Sequence, residues 1–204
     1  MLTGTLSGSR KITVADGAEI VLKDANITSL SNSAEYAGIT PLGDAAIFLE
    51  GTNTVKGGNE NYPGIYAPVN HTLTIGGDGS LDASSNGWAC GIGGGLRLGA
   101  GNIVINGGTI TAKGGNHSAG IGSGGNDSTC GNITINGGTV SAKGGDYSAG
   151  IGSGYKTSCG DIFISASANV TVDKGIEAPN DIGAGEEGTC GTVTIEDGAN
   201  IIYK

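Results

Sequence analysis

Arginine, proline, aromatic rings and long apolar runs are all scarce in this chain of 204 residues. Lys and Arg number only 10 against 19 Asp and Glu, a formal net charge of −9, and arginine occurs only at Arg10 and Arg97. So few cations argue against nucleic acid and anionic membrane surfaces as partners, since both demand basic patches. Acidic polysaccharides are disfavoured as well, unless a cation bridges the two. No apolar run is long enough to insert into a bilayer, and neither a signal peptide nor a lipidation motif is present. There are 4 prolines and no Gly-X-Y register behind the 42 glycines, which excludes collagen. Helix formers never accumulate in a run. Residues with apolar side chains nevertheless make up 37% of the chain, too many for disorder, and β-branched residues alternate with Gly, Asn, Ser and Thr. The composition is that of an all-β protein.

Short apolar triplets recur along the chain: Ile12-Thr13-Val14, Ile47-Phe48-Leu49, Leu73-Thr74-Ile75, Ile103-Val104-Ile105, Ile133-Thr134-Ile135, Ile162-Phe163-Ile164 and Val193-Thr194-Ile195. A second apolar position follows most of them, at Ile20, Val55, Leu81, Ile110, Val140, Val170 and Ile201. A third precedes most, usually after Gly, at Ile39, Ile65, Ile92, Ile121, Ile151 and Ile182. A fixed period of this size signals a solenoid. Each unit holds two to three period-2 strands separated by Gly/Asn/Ser turns. The expected fold is therefore a right-handed parallel β-helix of about seven coils of ~30 residues, with residues 1–204 forming a single domain. In such a stack, equivalent residues lie about 4.8 Å apart along the axis and form ladders.

The hexapeptide Ala-Gly-Ile-Gly-Ser-Gly occurs twice, at 119–124 and 149–154. A phosphate-cradling loop would open a helix, and none follows either copy. The repetition predicts a corner of the coil, with Ala and Ile stacked and the glycines turning. Cys130, Cys159 and Cys190 share one column, occupied in an earlier coil by Ala100, whereas Cys90 shares a column with Ala119 and Ala149. The spacing allows small buried thiols or one disulfide between adjacent coils, since three cysteines in a column cannot all pair. No Cys/His spacing suggests zinc.

Chemistry concentrates just before the Gly-Ile landmark. Tyr36, Tyr62, Trp88, His117 and Tyr147 fall there in consecutive coils, with Asn116 and Asp146 in matching Lys-Gly-Gly turns. Stacked rings would form a ribbon for the flat faces of sugars, and Asn116 and Asp146 would bond their hydroxyls. Packing between coils is the competing role for the same rings. Catalysis is not expected. Neither arginine sits among paired acids, His71 and His117 are isolated, and no Ser/His/Asp pattern recurs. For a metal, calcium is the ion the loop oxygens would suit, and Asn126, Asp127 and Asp161 are the candidate ligands.

The stretches "ITVADGAEIVLKDANITS", "AAIFLEGTNTVKGG" and "PGIYAPVNHTLTIGGDGSLDASSNGWACGIG", covering roughly residues 10–95, resemble a family of bacterial secreted carbohydrate-binding β-helix domains. The resemblance implies a pectate-lyase-like fold, bound calcium, and binding of cellulose or acidic plant sugars without cleavage. The later "ITINGGTVSAKGG" and "AGIGSG" are similar to repeats of large surface proteins of anaerobic and gut bacteria. Residues and resemblance together lead to one expectation: a non-catalytic polysaccharide-binding module cut from an extracellular or cell-surface bacterial protein. A structural stalk or adhesin repeat is the alternative, with a pectate-lyase-like enzyme as the second alternative. The final strand, running to Lys204 without a polar cap, suggests end-to-end contact with a neighbouring domain or second copy.

Overall fold

Parallel pairing between residues 26 to 31 positions apart organises the chain from Ile12 onward. The computed structural model describes residues 1–7, 11–29 and 34–204, so Arg10 lies outside the described residues. Every regular element described is a strand, and no helix is long and apolar enough to cross a membrane.

The coil has three faces. The first stacks Ile12–Val14, Ile39–Pro41, Ile65–Tyr66, Ile92–Gly93, Ile121–Gly122, Ile151–Gly152 and Ile182–Gly183. The second stacks the start of Ala18–Ser29 under Ala45–Glu50, Thr72–Gly77, Asn102–Ile105, Ile133–Ile135, Ile162–Ile164 and Val193–Ile195. The third stacks the rest of Ala18–Ser29 under Thr52–Lys56, Ser80–Ser84, Thr109–Lys113, Gly138–Lys143, Ala168–Asp173 and Asn200–Tyr203. Seven rungs thus enclose about six turns of winding. Leu2–Ser7 pairs with Ala18–Ser29 beneath the first rung, and Leu2 and Leu6 pack on the core there.

Alternation decides what is inside. Ile103, Ile105, Ile133 and Ile135 are fully buried while Val104 and Thr134 between them face outward, half-buried. Each aliphatic side chain withdrawn from water in this way contributes about 1.5–3 kcal/mol. At the last rung the same positions lack a covering coil, and Val193 and Ile195 are 39% and 37% exposed.

The first coils run in a different register from the one the triplets imply. Ile12-Thr13-Val14 lies on the first face, opposite Ile39-Thr40-Pro41. The rung beneath Ile47-Phe48-Leu49 is Ile20-Val21-Leu22, and Ile47 sits opposite Ile75 where Leu73 was expected. Likewise Asn53, not Val55, lies opposite Leu81. A slip of two residues keeps every side chain on its own side of a strand, so apolar spacing alone does not detect it. The buried Asn53 is satisfied at each end: its Oδ1 accepts the Ala25 N–H at 2.9 Å, and its Nδ2 donates to the Glu50 and Ser80 carbonyls.

The repeated hexapeptide is indeed a corner. Ala119, Ile121, Ala149 and Ile151 are buried, and Ile121 pairs with Ile151. Gly122 and Gly152 adopt φ of 137° and 132°, and a Cβ at Gly122 would overlap the Gly152 carbonyl oxygen. Buried Ser123 and Ser153 complete the corner by accepting the Gly154 and Gly185 N–H groups of the following coil. In the cysteine column, Cys130 pairs in register with Cys159 and Cys159 with Cys190. The last two form a disulfide, and Cys130 and Cys90 are buried free thiols.

Candidate functional site: the aromatic column and its flanking corners

Two rings of the column, His117 and Tyr147, are carried on equivalent tight turns. In Gly115-Asn116-His117-Ser118 and Gly145-Asp146-Tyr147-Ser148, His117 and Tyr147 adopt φ of 59° and 65°. That left-handed conformation is uncommon for a bulky side chain. Ser118 N–H closes the turn on the Gly115 carbonyl, and Ser148 on Gly145, at 3.3 and 3.1 Å. Asn116 and Asp146 are thereby left exposed at the turn tips.

Three of the five expected rings touch. Trp88 and His117 have centroids 4.3 Å apart, and His117 and Tyr147 are 5.3 Å apart. A fourth ring, Tyr155, joins them at 5.2 Å from His117 and 5.4 Å from Tyr147. The planes are inclined by 42° to 73° to one another, and all four residues are half-buried. This is the edge and tilted geometry that aromatic pairs prefer, and it presents a corrugated surface instead of a flat ribbon. Sequence reasoning missed Tyr155. The signal was there: the first hexapeptide is followed by Gly125, whose Cβ position faces the Trp88 ring, and the second by Tyr155.

Tyr36 and Tyr62 stand apart from that cluster. With Tyr66, Thr40 and Leu98 they line a recess of about 150 Å³, with exposed Lys11 and Glu35 contributing to its lining. Burial pushes the Tyr66 phenol above its usual pKa, opposed by a hydrogen bond from the Val69 backbone. The Tyr36 hydroxyl and Thr40 Oγ1 are buried and have no hydrogen-bond partner.

Asp127 and Asp161 belong to no converging group of three carboxylates or imidazoles among the described residues; the one such group is Asp16, Asp44 and His71. Calcium takes six to eight oxygens, and a set of two carboxylates and an imidazole does not fit it. Asn126 and Asp127 instead form a left-handed turn, with φ of 45° and 52°.

Asp161 does a different job. Its Oδ1 accepts the Thr192 N–H at 2.7 Å, as Asn102 accepts Asn132 N–H and Asn132 accepts Asp161 N–H. Asp16 and Asp44 likewise accept the N–H groups of Asp44 and Thr72. In four of these five pairs the residue before the donor is glycine, for a steric reason. A Cβ at Gly43, Gly131, Gly160 or Gly191 would fall on the side-chain oxygen of the coil beneath. Cys-Gly-Asn/Asp/Thr before a triplet is thus a stapling motif: a small buried side chain, a gap, and an amide that bonds to the preceding coil.

Two segments, residues 103–125 and 133–155, match the model of the beta helix repeat family. No curated protein and no solved structure matches the chain. The matched segments are two consecutive coils of the stack, each running from an inward triplet to the Gly-rich corner beyond the aromatic turn. The chain folds as a parallel β-solenoid, and two of its consecutive coils are similar to the beta helix repeat.

Proposed function

We propose that this β-helix is a non-catalytic glycan-binding module of an extracellular, cell-surface bacterial protein, with polysaccharide held along the aromatic column. The observation that carries the reading is the convergence of Trp88, His117, Tyr147 and Tyr155 from successive turns into one surface, edged by exposed Asn116 and Asp146. Rings supply the apolar contact and the turn-tip amide and carboxylate supply hydrogen bonds to hydroxyls, the usual division of labour in a sugar site. The resemblance of the first coils to carbohydrate-binding β-helix domains points the same way.

The test is a pull-down on insoluble cellulose, with affinity electrophoresis in polygalacturonate and β-glucan gels. Trp88→Ala is expected to abolish retention. Asn116→Ala, at an exposed tip, is expected to weaken it severalfold without lowering the melting temperature. Unchanged retention by Trp88→Ala removes the column from the account.

A second reading, a structural stalk or adhesin repeat, draws on the tilt and half-burial of the same rings, which serve packing as well. It draws also on the final rung, where Val193, Ile195, Ile202 and Tyr203 are exposed. A second copy or neighbouring domain would stack there.

A further inference from the structure

We infer that the disulfide of the cysteine column moves along the stack: Cys130 is placed to take the bond to Cys159 over from Cys190 by thiol–disulfide exchange. This goes beyond the glycan-binding reading and does not depend on it.

Three observations carry the inference. First, the two available bonds are equivalent in geometry. Cys130, Cys159 and Cys190 stand in register on three neighbouring parallel strands, Thr129–Cys130, Ser158–Cys159 and Thr189–Cys190. The bonded pair has its Cα atoms 4.6 Å apart, and neighbouring parallel strands repeat at about 4.8 Å. Both values lie in the range of about 4.4–6.8 Å that a disulfide spans, so Cys130 stands to Cys159 as Cys190 does. Second, a column is the arrangement that exchange requires. The attacking sulfur approaches along the S–S axis from the side opposite the leaving sulfur, and Cys130 and Cys190 lie on opposite sides of Cys159. Third, little holds the Cys130 thiol elsewhere or lets another thiol in. Its Sγ donates only weakly to the Gly101 carbonyl of the coil beneath, at 3.6 Å. Cys130 and Cys159 are 7% and 8% exposed, so the thiol within reach of Cys159 is the one beside it.

The step conserves atoms and electrons. The Cys130 thiolate bonds to Cys159 Sγ, the Cys159–Cys190 bond breaks, and the electron pair leaves on Cys190 Sγ, which takes up a proton. One disulfide and one thiol exist before and after, so no oxidant or reductant is consumed. The coil carrying Cys190 is then held without a covalent tie, by Gly191 N–H on the Cys159 carbonyl at 3.1 Å and Thr192 N–H on Asp161 at 2.7 Å. Burial sets the pace. It pushes the Cys130 thiol up to about 12, and the titratable group coupled to it is Cys90, another buried thiol. The nucleophile is the thiolate. Exchange is therefore slow at neutral pH and quickens about tenfold with each pH unit until the pH nears 12.

Trypsin places the four cysteines on separate peptides, 57–97, 114–143, 157–174 and 175–204, so the bonds can be read directly. The oxidised protein is held without added thiol at pH 8, 9 and 10, quenched in acid, capped with N-ethylmaleimide in denaturant and mapped by mass spectrometry. A bond between 114–143 and 157–174 is expected to appear, with the cap passing from 114–143 to 175–204, about ten times faster at pH 10 than at pH 9. Cys190→Ser, oxidised in air, is expected to carry the Cys130–Cys159 bond. A parent that keeps only the bond between 159 and 190 through a day at pH 10 overturns the inference. So does a folded Cys190→Ser in which Cys130 and Cys159 are both capped. Bonds to Cys90, which lies off the column against the Gly122 carbonyl, forming as fast would mean scrambling through unfolded chains, and would overturn it as well.

Discussion

Single residues hold the coils in register through side-chain oxygens. Asn132 accepts the Asp161 amide at 2.9 Å across one turn, so Asn132→Ala should cost about 1 kcal/mol in urea denaturation, whereas Asn132→Asp, which keeps the acceptor, should stay near the parent. Asn53 is the sharper case. It is buried and bonds three backbone groups on three neighbouring segments. Asn53→Ala strands those groups in the core and should destabilise by about 3 kcal/mol; a loss below ~0.5 kcal/mol would show that water replaces the amide. These staples were the least legible part of the sequence. Asn, Asp, Gly and Ser before a strand read as ordinary turn chemistry, and only the coil beneath shows which oxygen meets which amide. The stacking of Trp88, His117 and Tyr147 is legible because their spacing is the period itself, whereas Tyr36 and Tyr62, spaced alike, stand apart. Tyr155 was not legible, since it faces the column from the opposite side of the Gly-rich corner.

At the scale of strands, alternation was readable and absolute register was not. From Ile103 onward, triplets paired as their spacing says, Ile103 on Ile133 on Ile162 on Val193. In the first coils the spacing misleads, because Ile12-Thr13-Val14 belongs to another face and Ile20-Val21-Leu22 is the rung beneath Ile47-Phe48-Leu49. A shift of two residues conserves inside and outside, which is why the predicted core survived the error. The strands also differ in what covers them. Ile133→Ala, in a rung stacked on both sides, should cost about 2–5 kcal/mol, while Ile195→Ala in the uncovered last rung should cost under ~1 kcal/mol. Equal losses would mean that the end rung is covered in solution.

The whole molecule is a stack with its thiols sealed inside it, and that gives it an alkaline limit. Burial pushes the Cys130 thiol from 9.0 to about 12 and Cys90 well above its usual range. The unfolded thiol ionises first, so the folded state holds the proton more tightly. The stabilisation is complete below pH 9 and is lost as the pH climbs toward 12. Urea midpoints measured from pH 8 upward should therefore fall more steeply for the parent than for Cys130→Ala; parallel curves would place that thiol in contact with water. The same stack brings Trp88, His117 and Tyr147 into one column from positions about thirty residues apart, and function on this account belongs to that juxtaposition. The most direct test is a two-dimensional amide NMR titration of the ¹⁵N-labelled protein with cellotetraose and with tetragalacturonate. Saturable shifts at residues 88, 116–118 and 146–148 are expected for one of the two sugars. A spectrum unmoved by both at millimolar concentration, or shifts confined to the second face around Phe48 and Thr134, would contradict it.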